Sequence, residues 1–316
     1  MLEQQRSNDG SNQTKTMSHI KHICVCICTY KRLDFLRRLL EALSVQVTDG
    51  LFSYSIVVTD NDSLRSAESL VTELAARLPI PIKYCVEARQ YIALARNTAI
   101  ENATGDFIAF IDDDEFTTPH WLATLYKACH QFNADGALGP VKPYFDDRAP
   151  EWIIKSRLYD RPSYPTGLVI DGSKGRTGNT FLKREIFAAG ERWFRPEFRT
   201  GEDQDFFTRM IEKGYVFIWC DEAVAFEVVP PIRWSRSFLL KRALLRGTVA
   251  LAQPNAKALD ISKSVLAVPL YGLALPVTLI LGQHRFMPCL VKLCDHLGKL
   301  LAIFGINPVK DPYVTG

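Results

Sequence analysis

Asp112-Asp113-Asp114 directly follows the apolar run Phe107-Ile108-Ala109-Phe110-Ile111, which Gly105 bounds on its other side. Such a run predicts a buried strand of a mostly parallel sheet. Ligands of open α/β sheets bind in the crevice at the carboxyl ends of the strands. Three acids crowded there repel one another, and a bound cation is the usual reason to keep them together. Asp112 and Asp114 lie two apart, so both reach one hard cation while Asp113 points elsewhere. The plainer alternative is a solvated turn that caps the following helix. The chemistry indicated is binding of a divalent metal and of phosphate.

The elements that must hold these acids alternate along the first half of the chain. Residues 22–28 predict a strand, and 33–43 a helix with Leu36, Leu39, Leu40 and Leu43 on one face. A second strand at 54–59 ends in Asp60-Asn61-Asp62-Ser63, and 64–78 reads as a helix closed by Pro79 and Pro81. Residues 82–86 form a short strand, 92–102 a helix, and 106–111 the fourth strand, which carries the acids. Pro119 opens the next helix at its first turn. This rhythm implies an α/β fold, a right-handed, Rossmann-like and mostly parallel sheet with helices on both faces.

After Gly136 the rhythm changes. A strand is expected over 139–145, an irregular stretch with Trp152, Tyr159 and Tyr164 over 150–165, and a strand over 177–183. Glu202-Asp203 opens a helix to about residue 213, and 216–219 and 223–228 read as extended. The expected organisation is one domain over 19–252 on a single sheet. Its nucleotide-binding half covers 19–135 and its acceptor half 136–252.

Hydrophobic residues make up 47% of the 316 and charged residues 23%, ordinary values for a globular protein. A net charge of +3 gives no footprint for nucleic acid. Residues 1–18 are polar, which predicts a disordered tail without a secretory signal, and Met17 is an alternative start. Cys24, Cys26 and Cys28 alternate on the first strand and no Cys-x-x-Cys pair occurs, so the thiols read as small buried hydrophobes in a reducing cytosol.

The C-terminal part, residues 253–316, has its own composition. Residues 264–282 carry no charge and approach the ~20 residues that cross a bilayer. Pro269, Gly272 and Pro276 are expected to kink them, and the flanking Lys263 and His284-Arg285 set no orientation. Residues 286–304 place Lys292, Asp295, His296 and Lys299 among leucines, the pattern of an interfacial amphipathic helix. The basic segment from Arg233 to Arg246 suits anionic lipid. These features predict contact with a membrane surface, against the alternative of a core hairpin.

Cys28-Thr29-Tyr30-Lys31-Arg32, Asp60-Asn61-Asp62-Ser63, Ala95-Arg96-Asn97, Gly105-Asp106 leading into Asp112-Asp113-Asp114, and Gly201-Glu202-Asp203 stand in register over about residues 23–249. Together they resemble family 2 inverting glycosyltransferases of the GT-A fold. With Gly178-Asn179-Thr180 and Gln204-Asp205-Phe206-Phe207 they look most like glucosyltransferases of succinoglycan-type exopolysaccharide assembly. The resemblance implies a UDP-hexose donor such as UDP-glucose, a glycan or lipid-linked acceptor, and Mg²⁺ or Mn²⁺. It implies work at the cytoplasmic face of the cell membrane, where nucleotide-sugars are made.

Carried over by position, Thr29, Tyr30 and Arg32 would border the nucleotide, and Asp60 or Asn61 would bond the base. Asp112 and Asp113 would lie on the nucleotide-sugar side, with Asp114 and Asp112 toward the metal. Arg96 would contact phosphate, as would Arg89. Gly178, Asn179 and Glu202 would shape the acceptor or donor-sugar edge. Asp203 is the expected catalytic base: direct inversion needs one carboxylate for the acceptor proton, and a helix start keeps it ionised. Asp205 is the second candidate for that role. Trp234, Arg233 and Arg236 would order over the nucleotide or face the membrane.

Three other readings compete with this one. A NAD-dependent dehydrogenase needs Gly-x-Gly-x-x-Gly after the first strand, and the turn here is Thr29-Tyr30-Lys31-Arg32. A haloacid-dehalogenase-like phosphohydrolase would use Asp112 and Asp114, but its motif sits on a first strand rather than a fourth. A non-catalytic sugar-binding scaffold would be favoured by loss of Asp114 or Asp203, and both are present.

Overall fold

The structure is a computed structural model that describes residues 20–187, 193–198, 201–252 and 258–309. The expected tail and Met17 lie outside the described residues. The first half follows the expected alternation: β1 (Lys21–Thr29), α1 (Leu33–Leu43), β2 (Phe52–Asp60), α2 (Glu68–Arg77), β3 (Ile82–Val86), α3 (Ile92–Asn102) and β4 (Phe107–Phe110). β2, β3 and β4 extend a parallel sheet from β1, in the order β3-β2-β1-β4. Alternation along β1 sends Ile23, Val25 and Ile27 into one core and Cys24 and Cys26 into the other, with Cys28 packed beside them. Leu36, Leu39, Leu40 and Leu43 of α1 are fully buried on the first of these, each worth roughly 1.5–3 kcal/mol.

The second half departs from the expected elements in several places. A short β5 (Glu115–Thr117) follows the acids, and α4 (Trp121–Gln131) begins just after Pro119. The strand expected over 139–145 is the shorter β7 (Val141–Tyr144), and a further strand that was not expected, β6 (Gly136–Leu138), precedes it across Gly139-Pro140. Proline donates no ladder hydrogen bond, and an ideal Cβ on Gly139 would lie 2.2 Å from the Ala223 carbonyl. A helix, α5 (Glu151–Ser156), occupies the stretch expected to be irregular. β8 (Thr180–Lys183), α6 (Glu202–Glu212), β9 (Phe217–Trp219) and β10 (Ala225–Val228) complete the α/β part. β8 runs antiparallel between β4 and β6, so the seven-stranded sheet is parallel except at that strand. β5, β10 and β7 form a second, three-stranded sheet.

The helix expected over 64–78 starts only at Glu68. Asp60 accepts hydrogen bonds from the backbone N–H groups of Asp62 (3.0 Å) and Ala67 (2.7 Å), and Asp62 accepts from Leu64. Carboxylates that hold backbone donors in this way stabilise a turn at the expense of the first helical residues.

Three helices close the chain: α7 (Arg236–Ala252), α8 (Ala258–Ile280) and α9 (Gln283–Ile303). α7 packs on α9 more than on the sheet. α8 continues through Pro269 and Pro276, contrary to the interruption expected there. Each proline deletes one backbone hydrogen bond, while packing along α9 keeps the flanking turns aligned. Met287 and Val291 of α9 share a core with Ile153, Trp234 and Leu239, which ties the helical unit to the α/β part.

Candidate active site

The carboxyl ends of β1 and β4 lie side by side because the two strands pair in parallel. Chain leaving β1 supplies Thr29 and Arg32, and chain leaving β4 supplies the three acids. Thr29 Oγ1 donates to Asp113 at 2.8 Å, and Arg32 Nη1 donates to Asp113 at 3.1 Å and Asp114 at 3.3 Å. Asp113 and Asp114 occupy a turn, so strand alternation does not govern them. Asp113 faces a cleft of about 1130 Å³, shared with Thr29, Tyr30, Lys31, Arg32 and Asn61. That volume has room for a nucleoside diphosphate.

Asn61 and Asp60, the two candidates for the base, are placed differently. Asp60 is fully buried and accepts from Asp62, Ala67 and the Tyr84 hydroxyl, so it secures the loop. Asn61 lines the cleft, with its amide nitrogen fixed by the carbonyls of Glu87 and Arg89, each at 2.8 Å. Of the pair, Asn61 is the one placed to meet a ligand. Arg89 pairs with Glu87 at 2.9 Å.

Arg96, expected on phosphate, is buried away from the cleft. Its guanidinium bonds Glu202 at 2.5 Å and stands 3.8 Å from Asp112. Glu202 is thus an anchor that fixes the start of α6 against α3. Gly201, at φ +83°, makes the turn into that helix. Asp203, next along, is half-buried; among the described residues its side chain forms no ion pair and accepts one hydrogen bond, from the Gln204 backbone N–H. Asp205 is held by Arg209 at 2.9 Å and Arg195 at 3.5 Å. Of the two candidate bases, Asp203 has the available carboxylate.

Gly178 closes on the acids: an ideal Cβ there would lie 3.0 Å from both Asp112 Oδ2 and Glu115 Oε1. Asn179 turns its side chain inward. Its side chain is wholly internal, donating to the carbonyls of Pro140 and Ala223 and accepting from Trp121 Nε1 at 2.7 Å. That amide staples the β6–β7 break to α4.

Acids outnumber the room for them. Burial, then the Asp112 and Asp114 charges, push the Glu115 carboxyl well up. Burial raises Asp113 to about 6 against the pull of Arg32. Asp112 is also raised, by desolvation in the site and the Asp114 charge, although Arg96 opposes this and 45% of its side chain is exposed. Among the described residues no three Asp, Glu, His or Cys side chains enclose a metal by themselves. A donor set of two carboxylates still fits Mg²⁺ or Mn²⁺, which take one or two carboxylates and complete their shell with substrate phosphate.

Sequence reasoning gave Arg161 no role and set Arg233 over the nucleotide or against the membrane, not on the acids. Arg233 Nη2 bonds Asp114 at 3.4 Å and Nη1 bonds Glu227 at 3.0 Å, and Arg161 pairs with Glu227. These guanidiniums come from a region with no motif, and only the excess of acids hinted that cations must converge there. Gln90, Tyr91 and Phe198 line the cleft as well. Trp234 is buried with its Nε1 on the Val229 carbonyl at 3.0 Å, and Arg236 is exposed.

The glycosyl transferase family 2 profile matches residues 24–195, over half of the chain. The succinoglycan biosynthesis protein ExoM of Rhizobium meliloti is 33% identical over 72% of this chain and 73% of its own length. Chondroitin synthase of Escherichia coli is 25% identical over 67% of this chain and 35% of its own length. In fold, the chain is similar to S. aureus TarS 1-349, solved in complex with UDP-GlcNAc, with a TM-score of 0.52 and 17% identity over 76% of this chain and 70% of that one. The matched segment contains the β1 and β4 termini, Arg96 and the three acids, and the chain belongs to glycosyl transferase family 2.

Proposed function

We propose that the protein transfers a hexose with inversion from a UDP-sugar to a glycan or lipid-linked acceptor in the assembly of a cell-surface polysaccharide. The observation that carries this reading is the convergence of Thr29, Arg32 and Asp113 on one cleft, with Asp114 bonded to the same Arg32 and the available carboxylate of Asp203 beside the Arg96–Glu202 pair. The succinoglycan relative and the UDP-GlcNAc complex of TarS support the polymer and the donor class. Family membership removes the phosphohydrolase and scaffold alternatives.

In this mechanism Asn61, Tyr30 and Thr29 line the nucleotide site, and Arg32 brings positive charge to its diphosphate side. Asp112 and Asp114 would hold Mg²⁺ or Mn²⁺, which when bound neutralises charge on the departing UDP. Asp203 takes the acceptor hydroxyl proton as that oxygen bonds the anomeric carbon and the bond to phosphate breaks. Arg96 and Glu202 set the direction from which Asp203 approaches.

The site would work at the cytoplasmic face of a membrane. Only 6% of the apolar window Ile261–Ile280 is buried, and Leu266, Leu270, Leu273, Val277 and Ile280 are exposed along α8. α8 lies along α9, with Ser264 Oγ 3.0 Å from His296 Nδ1 and Tyr271 stacked on the His296 ring. Because α9 is packed on α5 and α7, a ridge seated in the interface fits this arrangement better than a crossing helix.

The test is thermal unfolding and turnover with a panel of UDP-hexoses, with Mn²⁺ or with EDTA. Stabilisation by a UDP-sugar that grows with Mn²⁺, and turnover abolished by EDTA, is the expected result. Turnover that persists in EDTA would refute the metal role, and no response to any UDP-hexose would refute the donor class.

A further inference from the structure

Residues 172–179 bridge the Asp203 helix and the acids. At one end the Ser173 carbonyl accepts from Gln204 Nε2 at 3.2 Å, and Gly175 lies so close to Phe207 that an ideal Cβ would sit 2.5 Å from its ring. At the other end Gly178 abuts Asp112 and Glu115. Arg176 stands between these two fixed points, half-buried, and its side chain makes no hydrogen bond or ion pair among the described residues. It does not line the nucleotide cleft.

The groups that bear on Arg176 are Arg161, Tyr164, Asp203 and Glu227. Glu227 is already taken by Arg161 and Arg233. Burial first, and then the Arg161 charge, disfavour the Arg176 cation, yet a guanidinium does not give up its proton in a protein. A permanent charge is thus held partly out of bulk water, in the field of a like charge, on the segment that joins the Asp203 helix to the acids. Such an arrangement is relieved by an incoming anion, and guanidinium is the side chain suited to bidentate contact with carboxylate or phosphate.

We propose that Arg176, backed by Arg161, receives an anionic group of the acceptor, a carboxylate or a phosphate, while Asp203 takes the proton from its hydroxyl. This rests on the glycosyl transfer and the role of Asp203 given above, and adds the charge class of the acceptor. A uronate on the glycan and the diphosphate of a lipid carrier share this chemistry.

The experiment compares kcat/KM for three acceptors with the UDP-hexose that supports turnover: octyl β-glucoside, octyl β-glucuronide and glucosyl farnesyl diphosphate. Wild type is expected to prefer one anionic acceptor over the neutral one by about 10- to 100-fold, the worth of a charge-assisted pair. The glucuronide and diphosphate arms identify the source of the anion. Arg176→Gln is expected to collapse the preference through acceptor KM, and Arg176→Lys to restore part of it. Equal kcat/KM on all three acceptors in wild type would overturn the proposal whether or not a variant folds. An equal loss in kcat on every acceptor in Arg176→Gln would also overturn it, leaving Arg176 as a partner of the base. Absence of transfer from every UDP-hexose to every acceptor would instead defeat the glycosyl-transfer reading on which the proposal rests.

Discussion

Arg96→Met is the perturbation whose cost the structure fixes best. Arg96 and Glu202 are each 9% exposed at the side chain and meet at 2.5 Å, so solvent screens the pair little. Removing the guanidinium leaves the Glu202 carboxylate buried without its counter-charge and takes the nearest cation from Asp112. Breaking a buried pair of this kind costs about 3–5 kcal/mol. At roughly 2–4 °C per kcal/mol for a domain of this size, Tm should fall by about 6–20 °C. Replacing both partners, Arg96→Met with Glu202→Met, removes the stranded charge and should recover about 2 kcal/mol or more of that loss. Thermal unfolding followed by tryptophan fluorescence, on wild type, both single variants and the double variant, measures the coupling. A double variant that loses the sum of the two single losses would refute the claim that the pair anchors α6. Transfer should stay impaired even in the stable double variant, because nothing then aims Asp203.

Three further outcomes follow from other contacts. Asp114→Asn should leave the fold intact but abolish Mn²⁺-dependent turnover, and full turnover would contradict the metal assignment. Gly298→Ala should destabilise the α7–α9 seam by about 1–3 kcal/mol, because the added Cβ would lie 2.4 Å from the Leu244 carbonyl; unchanged resistance to limited proteolysis at the C-terminal helices would count against that packing. Leu270→Glu with Leu273→Glu, on residues 67% and 80% exposed, should move the protein from the membrane pellet to the soluble fraction, and unchanged fractionation would remove α8 from the membrane contact.

The parts of the fold that were legible are those in which local pattern and tertiary role agree. α1, α3 and β3 have the bounds that the sequence implied, because their apolar spacing, flanking prolines and polar breaks all point the same way. The errors fall where a distant partner decides. The start of α2 is set by Asp60, whose carboxylate accepts from Ala67 seven residues on. The β6–β7 break is held by the Asn179 side chain, some forty residues away, a role that nothing near it in the sequence announces. The acids themselves were plain in the sequence, but their cations were not. Arg161, Arg176 and Arg233 reach the site from separate segments, and arginines outside a motif are indistinguishable from solvated ones until the chain is folded.

The most direct test of the central claim is the transfer rate of Asp203→Asn at saturating UDP-hexose and Mn²⁺. If Asp203 is the base, transfer should fall by roughly 10²-fold or more, while the thermal shift with UDP and Mn²⁺ stays at the wild-type value. A variant that transfers sugar at the native rate would contradict the account and move the base elsewhere.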